Sequence, residues 1–151
     1  MEIGDTLPAG TLTAADGTPF ALADLAGQPL VLYFYPKADT TGCTREAQDF
    51  SALAEQFRAR GAAVIGVSRD TPAKLLRFAQ KHALCVDLAS DEDGSVCEAF
   101  GVWVEKQMYG RSYMGIERAT FLFDAGGTLV SQWRKVKVAG HAAAVLSALP
   151  S

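Results

Sequence analysis

Residues 30–35 read LVLYFY, an apolar run of strand length rich in β-branched and aromatic side chains, and it stops at Pro36. After a short polar stretch, apolar residues return at Ala47, Phe50, Leu53, Ala54 and Phe57, the spacing of one helix face, which predicts a helix over residues 44–60. Gly61 ends that pattern and AVIGVS at residues 63–68 predicts a second buried strand, so the three elements form a β-α-β unit with parallel strands. Thr71 as N-cap with Pro72 at the first helical position starts the next helix, whose stripe of Leu75, Phe78 and Ala79 runs to about His82. Residues 84–88, LCVDL, then read as a strand with Leu84, Val86 and Leu88 on one face and Cys85 beside Asp87 on the other.

Upstream, turn signals at Ala15-Asp16-Gly17 and Gly27-Gln28-Pro29 separate short apolar segments at 11–13 and 20–22, an N-terminal hairpin. Downstream come a turn at 91–94, a short helix at 95–100 closed by Gly101, and a stretch at 104–117 without sustained periodicity, read as a loop or short hairpin leading to Arg118. Residues 119–123 and 128–133 flank Asp124-Ala125-Gly126-Gly127 as an antiparallel hairpin, and Ala142, Val145, Leu146 and Leu149 mark a terminal amphipathic helix. This order predicts an α/β, thioredoxin-like fold: a mixed central sheet flanked by helices, with an N-terminal β-hairpin extension, residues 1–151 forming one domain.

Composition narrows the function classes. With 49% hydrophobic and 21% charged residues, a chain of 151 residues can bury an adequate core without a metal or disulfide staple. A net charge of -3 with interspersed signs gives no footprint for nucleic acid or an anionic membrane, and Lys135 and Lys137 read as solvated surface. The N-terminus lacks the basic and apolar regions of a signal peptide and no apolar run reaches membrane-span length, so the expected location is cytoplasmic. The three cysteines, Cys43, Cys85 and Cys97, show neither C-x-x-C nor metal-ligand spacing, which points to thiol chemistry in a reducing compartment and to no metal or other cofactor.

Cys43 carries the sharpest chemical signal. It falls on the turn between the first long strand and its helix, where unpaired N–H groups and the helix dipole favour thiolate, the nucleophilic form. A C-x-x-C dithiol is absent because Glu46 stands three positions on. Cys97, on the apolar side of its short helix, reads as a packed small hydrophobe. His82 and His141 read as surface residues at helix termini, and Trp103 and Trp133 as core. Met108, Tyr109, Tyr113 and Met114 lie in the stretch before Arg118, where an aromatic loop would form a wall beside that residue.

Pro36, Thr40 and Cys43 match the P-x-x-x-T-x-x-C signature of peroxiredoxins. YFYPK, GCTRE, GVSRD, LASDEDGSVCEAFGV and YGRSYMGIERATFLFDAGG together resemble the bacterioferritin comigratory protein, or peroxiredoxin Q, subfamily over nearly the whole chain. The resemblance implies a thiol-dependent peroxidase in which Cys43 attacks the O–O bond of hydrogen peroxide or an organic hydroperoxide and becomes a sulfenic acid. It places Arg118 beside the thiolate, has Thr40 and the Cys43 N–H bond the peroxide, has Pro36 shield the sulfur, and lets Glu46 orient Arg118 or cap the helix. Thr41 departs from the proline usual in the subfamily.

The positions at which relatives carry a resolving cysteine are here Gln48 and Ala79. The sulfenic acid is therefore expected to be recycled by an external thiol, from thioredoxin, glutaredoxin or a small thiol, with Cys85 as the internal alternative. The subfamily also implies a monomer. Competing readings on the same scaffold are a peroxide-responsive redox sensor and a thiol-disulfide oxidoreductase.

Overall fold

A computed structural model describes residues 1–150. The strands are β1 (Thr11–Ala14), β2 (Pro19–Ala21), β3 (Leu30–Phe34), β4 (Ala63–Ser68), β5 (Asp87–Ser90), β6 (Trp103–Met108), β7 (Arg111–Ile116), β8 (Ala119–Phe123) and β9 (Leu129–Trp133). The helices are α1 (Thr41–Ala52), α2 (Ala54–Ala59), α3 (Pro72–Lys81), α4 (Ser95–Ala99) and α5 (His141–Ser147), with a 3-10 turn at Leu22–Leu25. Seven strands form one sheet in the order β2-β1-β5-β4-β3-β8-β9. Its centre, β3-β4-β5, is parallel, while β8 runs antiparallel to β3 and β1 antiparallel to β5, so the sheet is mixed.

β3 is buried along its whole length because it lies at the middle of this sheet with helices over both faces. Leu30, Leu32 and Phe34 join one core with Val96, Phe100 and Phe121, under α4 and the 3-10 turn. Val31, Tyr33 and Tyr35 alternate to the other face, where Phe50, Phe57, Leu75, Phe78 and Val145 from α1, α2, α3 and α5 close over them. Gly66 matters at that second core: a Cβ there would come within 2.4 Å of the Tyr33 ring, so the bare backbone of β4 makes the room in which Tyr33 lies.

Three local expectations change, and one is decided between its two alternatives. The helix of residues 44–60 begins earlier, at Thr41, and breaks at Leu53 into α1 and α2, the second segment turning so that Phe57 packs on Phe50. The strand read at residues 84–88 is displaced to Asp87–Ser90. Leu84 to Val86 form an irregular segment whose Cys85 and Val86 N–H groups donate to Ser51 Oγ at 3.0 and 3.2 Å, so they are not available to a ladder. Residues 104–117, read as a loop or short hairpin, are the hairpin: they make most of β6–β7, a two-stranded sheet of its own, on which Met108, Tyr109, Tyr113 and Met114 are exposed. Trp103 at its base is half-buried beneath the Arg69 guanidinium, 4.4 Å from the ring centre, and Trp133 is also half-buried rather than fully in the core.

Candidate functional site

The site forms where β3 ends. The Tyr35 N–H still pairs with the Val67 carbonyl at 3.1 Å, and Pro36, with no N–H to give, ends the ladder. Residues 36–40 cross to α1 in a loop tied to the α3 side at two places. The Ala38 N–H donates to Asp70 Oδ2 at 2.8 Å, and Asp39, in the left-handed region at φ 63, meets Lys81 Nζ at 2.8 Å and His82 Nε2 at 2.9 Å. His82 is thus half-buried and paired.

Cys43 is the third residue of α1 and is 2% exposed. The first helical hydrogen bond runs from the Thr44 N–H to the Thr40 carbonyl, and the Thr40 side chain caps nothing, so the Gly42 and Cys43 N–H groups at this end lie outside the helix ladder. The Thr40 hydroxyl instead donates to the Lys37 carbonyl at 2.8 Å, which leaves its lone pairs as acceptors.

Antiparallel pairing of β8 with β3 sets Ala119 opposite Phe34, so the residue before β8 arrives beside the chain leaving β3. That residue is Arg118. Its Nη2 donates to Cys43 Sγ at 3.3 Å and its Nη1 donates to Glu46 Oε1 at 2.7 Å. Sulfur, guanidinium and carboxylate therefore form one chain of contacts. Gly42, which the sequence pattern did not mark, is part of it: a Cβ there would lie 3.2 Å from Arg118 Nη2, so the guanidinium would have to give by a few tenths of an ångström.

Glu46 is 1% exposed, and its Oε2 has no partner among the described residues. Burial raises its carboxyl to about 7 against an ordinary 4.5, although Arg118 pulls the other way. Burial also opposes the charge of Arg118, but Glu46 and Cys43 outweigh it and hold the guanidinium firmly protonated. Between about pH 4.5 and 7 folded Glu46 retains a proton that the unfolded chain has released, so its contribution to stability falls as pH rises through that window. The urea midpoint of the parent should thus decline relative to that of Glu46→Gln from about pH 4.5 to 7. A difference that stays flat with pH would contradict a buried, proton-holding Glu46.

Of the remaining sequence candidates, Pro36 is exposed at the mouth of the loop. Cys97 is fully buried against Asp91, and burial pushes its thiol far up, the setting of a packing residue. Cys85 is exposed. It precedes β5, which is parallel to β3 and β4, and shares a cleft with Gln28, Ala62 and Ala63, whereas Cys43 follows the opposite end of β3. The two residues therefore lie past opposite ends of the parallel strands, and a five-residue strand spans about 16 Å.

His141 is the clear miss. It is 7% exposed, not on the surface, with Nε2 2.7 Å from Thr120 Oγ1, and burial, aided by Arg118, lowers its pKa to about 4. A histidine at the start of a helix pattern carries no signal for this, because α5 docks through its N-terminal turn. Among the described residues no helix is long and apolar enough to cross a membrane, and no cluster of three His, Cys, Asp or Glu has metal-site geometry.

Residues 3–132 match the AhpC/TSA family. The chain is 50% identical over 147 residues to peroxiredoxin Bcp of Xanthomonas campestris, covering 95% of this chain and 92% of that one. It is 46% identical over 149 residues to peroxiredoxin Bcp of Bacillus subtilis, covering 99% and 95%. Among solved structures, the Xanthomonas campestris bacterioferritin comigratory protein, captured in trapped intermediate and ligand complexes bearing on its alkyl peroxide reduction, superposes with a TM-score of 0.88 at 46% identity, covering 95% and 96%. A Xylella fastidiosa PrxQ mutant superposes at 0.92 with 43% identity, covering 97% and 94%. The fold is thus that of the thioredoxin-like peroxiredoxins, hydroperoxide and a thiol reductant are the reactants this lineage implies, and the chain belongs to the AhpC/TSA family as a thiol-dependent peroxidase of the Bcp and PrxQ kind.

Proposed function

We propose that Cys43 is the peroxidatic residue and that an external thiol recycles it. The observation that carries the first part is the Arg118 Nη2 contact on a sulfur held at the open end of α1. The thiolate attacks one peroxide oxygen, the O–O bond breaks, and its electron pair leaves with the distal oxygen, which takes a proton and departs as water or alcohol. Arg118 and the unladdered Cys43 N–H face the charge that moves from sulfur to the leaving oxygen. Thr40, its own proton committed to Lys37, accepts the hydrogen of the incoming hydroperoxide, Pro36 covers the approach, and Glu46 orients the guanidinium. Hydrogen peroxide and organic hydroperoxides, alkyl peroxides among them, are the substrates, and the exposed aromatic and methionine side chains of the β6–β7 hairpin favour the organic ones.

The recycling step rests on separation. A disulfide needs Cα atoms within about 7 Å, and Cys43 and Cys85 sit past opposite ends of the parallel strands. Thioredoxin, glutaredoxin or a small thiol then attacks the sulfenic acid, giving a mixed disulfide and water. Because Cys85 is exposed in an irregular segment, an internal bridge after unwinding of α1 is the second reading. The protein works as a monomer in the cytoplasm, as its sequence and the subfamily it resembles lead us to expect.

Mass spectrometry of peroxide-treated protein, with and without a small thiol, tests this. Sulfenic acid at Cys43, replaced by a mixed disulfide when the thiol is present, is the expected result. A Cys43–Cys85 disulfide as the main product would overturn the external route.

A further inference from the structure

One buried titratable group has no part in the chemistry above. His141 opens α5, and its Nε2 lies 2.7 Å from the hydroxyl of Thr120, a residue with no exposure at all. Thr120 is two positions beyond Arg118, on the face of β8 that carries Arg118 toward α1. The Arg118 carbonyl also accepts from the Val136 N–H at 2.9 Å, so the segment leading into α5 grips the chain at residue 118 by its backbone and at residue 120 by its side chain.

The imidazole touches the other half of the site as well. It stands edge-on to Phe50, ring centres 6.1 Å apart at 84°, and edge-on to Trp133 at 5.7 Å and 81°. Phe50 lies two turns after Cys43 on α1 and stacks on Tyr33 at 4.5 Å, the strand neighbour of Thr120. One side chain therefore joins the strand that presents Arg118 to the helix that presents Cys43. An apolar side chain would fill this space without the cost of burying a polar ring, so the hydrogen bond to Thr120 is what the imidazole adds.

We infer that His141 is a positioning residue: bonded to Thr120, it fixes the start of β8 so that the Arg118 guanidinium meets the Cys43 sulfur. The inference rests on the reading of Arg118 and Cys43 given above. Burial keeps the ring neutral at physiological pH, which spares Arg118 a second cation nearby.

The test is a double-mutant cycle on the second-order rate of peroxide consumption, with thermal unfolding followed in parallel. His141→Leu and Thr120→Val should each slow the reaction roughly tenfold. His141→Gln, which can still bond the hydroxyl, should recover most of the loss. In the Arg118→Ala background the same changes should alter the rate by less than about twofold, since the group they position is gone. Should His141→Leu fail to fold, Thr120→Val keeps the shape of the site and carries the same cycle. Losses that simply add, with Arg118→Ala slow by itself, would overturn the positioning role and leave the site reading intact. Arg118→Ala as fast as the parent would overturn both.

Discussion

Cys43→Ser is expected to abolish peroxide consumption, a loss of about 10⁴-fold or more, because a hydroxyl at this position does not ionise at neutral pH and cannot supply the nucleophile. The fold should survive. Serine is nearly the same size, the site is 2% exposed, and the donor at Arg118 Nη2 that reaches sulfur at 3.3 Å can reach an oxygen in its place. A change in stability of about 1 kcal/mol is the scale for trading a buried thiol for a hydrogen-bonded hydroxyl. The measurement is stoichiometric: reduced parent protein should remove one equivalent of hydroperoxide in the absence of any thiol, and Cys43→Ser none. One equivalent consumed by the serine variant would transfer the chemistry to Cys85 and sink the assignment. The same experiment separates the enzyme from the sensor and oxidoreductase readings, since steady turnover on adding a thiol belongs to a peroxidase.

Arg118→Ala should slow the first step by about 10² to 10³-fold, the usual worth of a preorganised donor aimed at developing charge. The consequence for Glu46 is less obvious. Its carboxyl, already near 7 with Arg118 in place, loses the one neighbour that favours its charge, so it takes up a proton and becomes neutral. Removal of one partner from a buried ion pair commonly costs about 3–5 kcal/mol, and that protonation limits the loss here. Adding Glu46→Gln to Arg118→Ala should then change little further in rate, whereas Glu46→Gln alone frees the guanidinium from its orienting contact. A first step in Arg118→Ala that matches the parent would remove Arg118 from the mechanism.

Local patterning was a good guide wherever the deciding interactions are local. The apolar run ending at Pro36, the Thr71 cap, which accepts from the Lys74 N–H at 3.2 Å, and the hairpin at Asp124 to Gly127 all appear as read, because caps, turns and strand periodicity act within a few residues. The pattern failed where a distant partner competes. Ser51 takes the N–H groups that would have begun a strand at residue 84, and residues 104–117 were legible only as a loop or short hairpin because the exposed β6–β7 strands have no buried face to impose alternation along their length. Glu46 and His141 went unseen as buried groups because hydrophobic periodicity counts a charged or polar residue as solvent-facing, whatever partner the fold later supplies.

By itself the sequence determined that a cysteine stands at the mouth of a helix and, through its resemblance, the class of reaction. That follows because a strand, a proline and a helix start lie within a dozen residues and dictate one another's geometry. Only the tertiary structure decided what surrounds the thiol. Arg118 is 75 residues away and reaches Cys43 because β8 pairs antiparallel with β3, Gly42 leaves space for it, and α1 carries Glu46 to its other side. The distance of Cys85 from Cys43 was equally hidden, since it follows from the parallel order of β3, β4 and β5, a property of the sheet that no short stretch of chain contains.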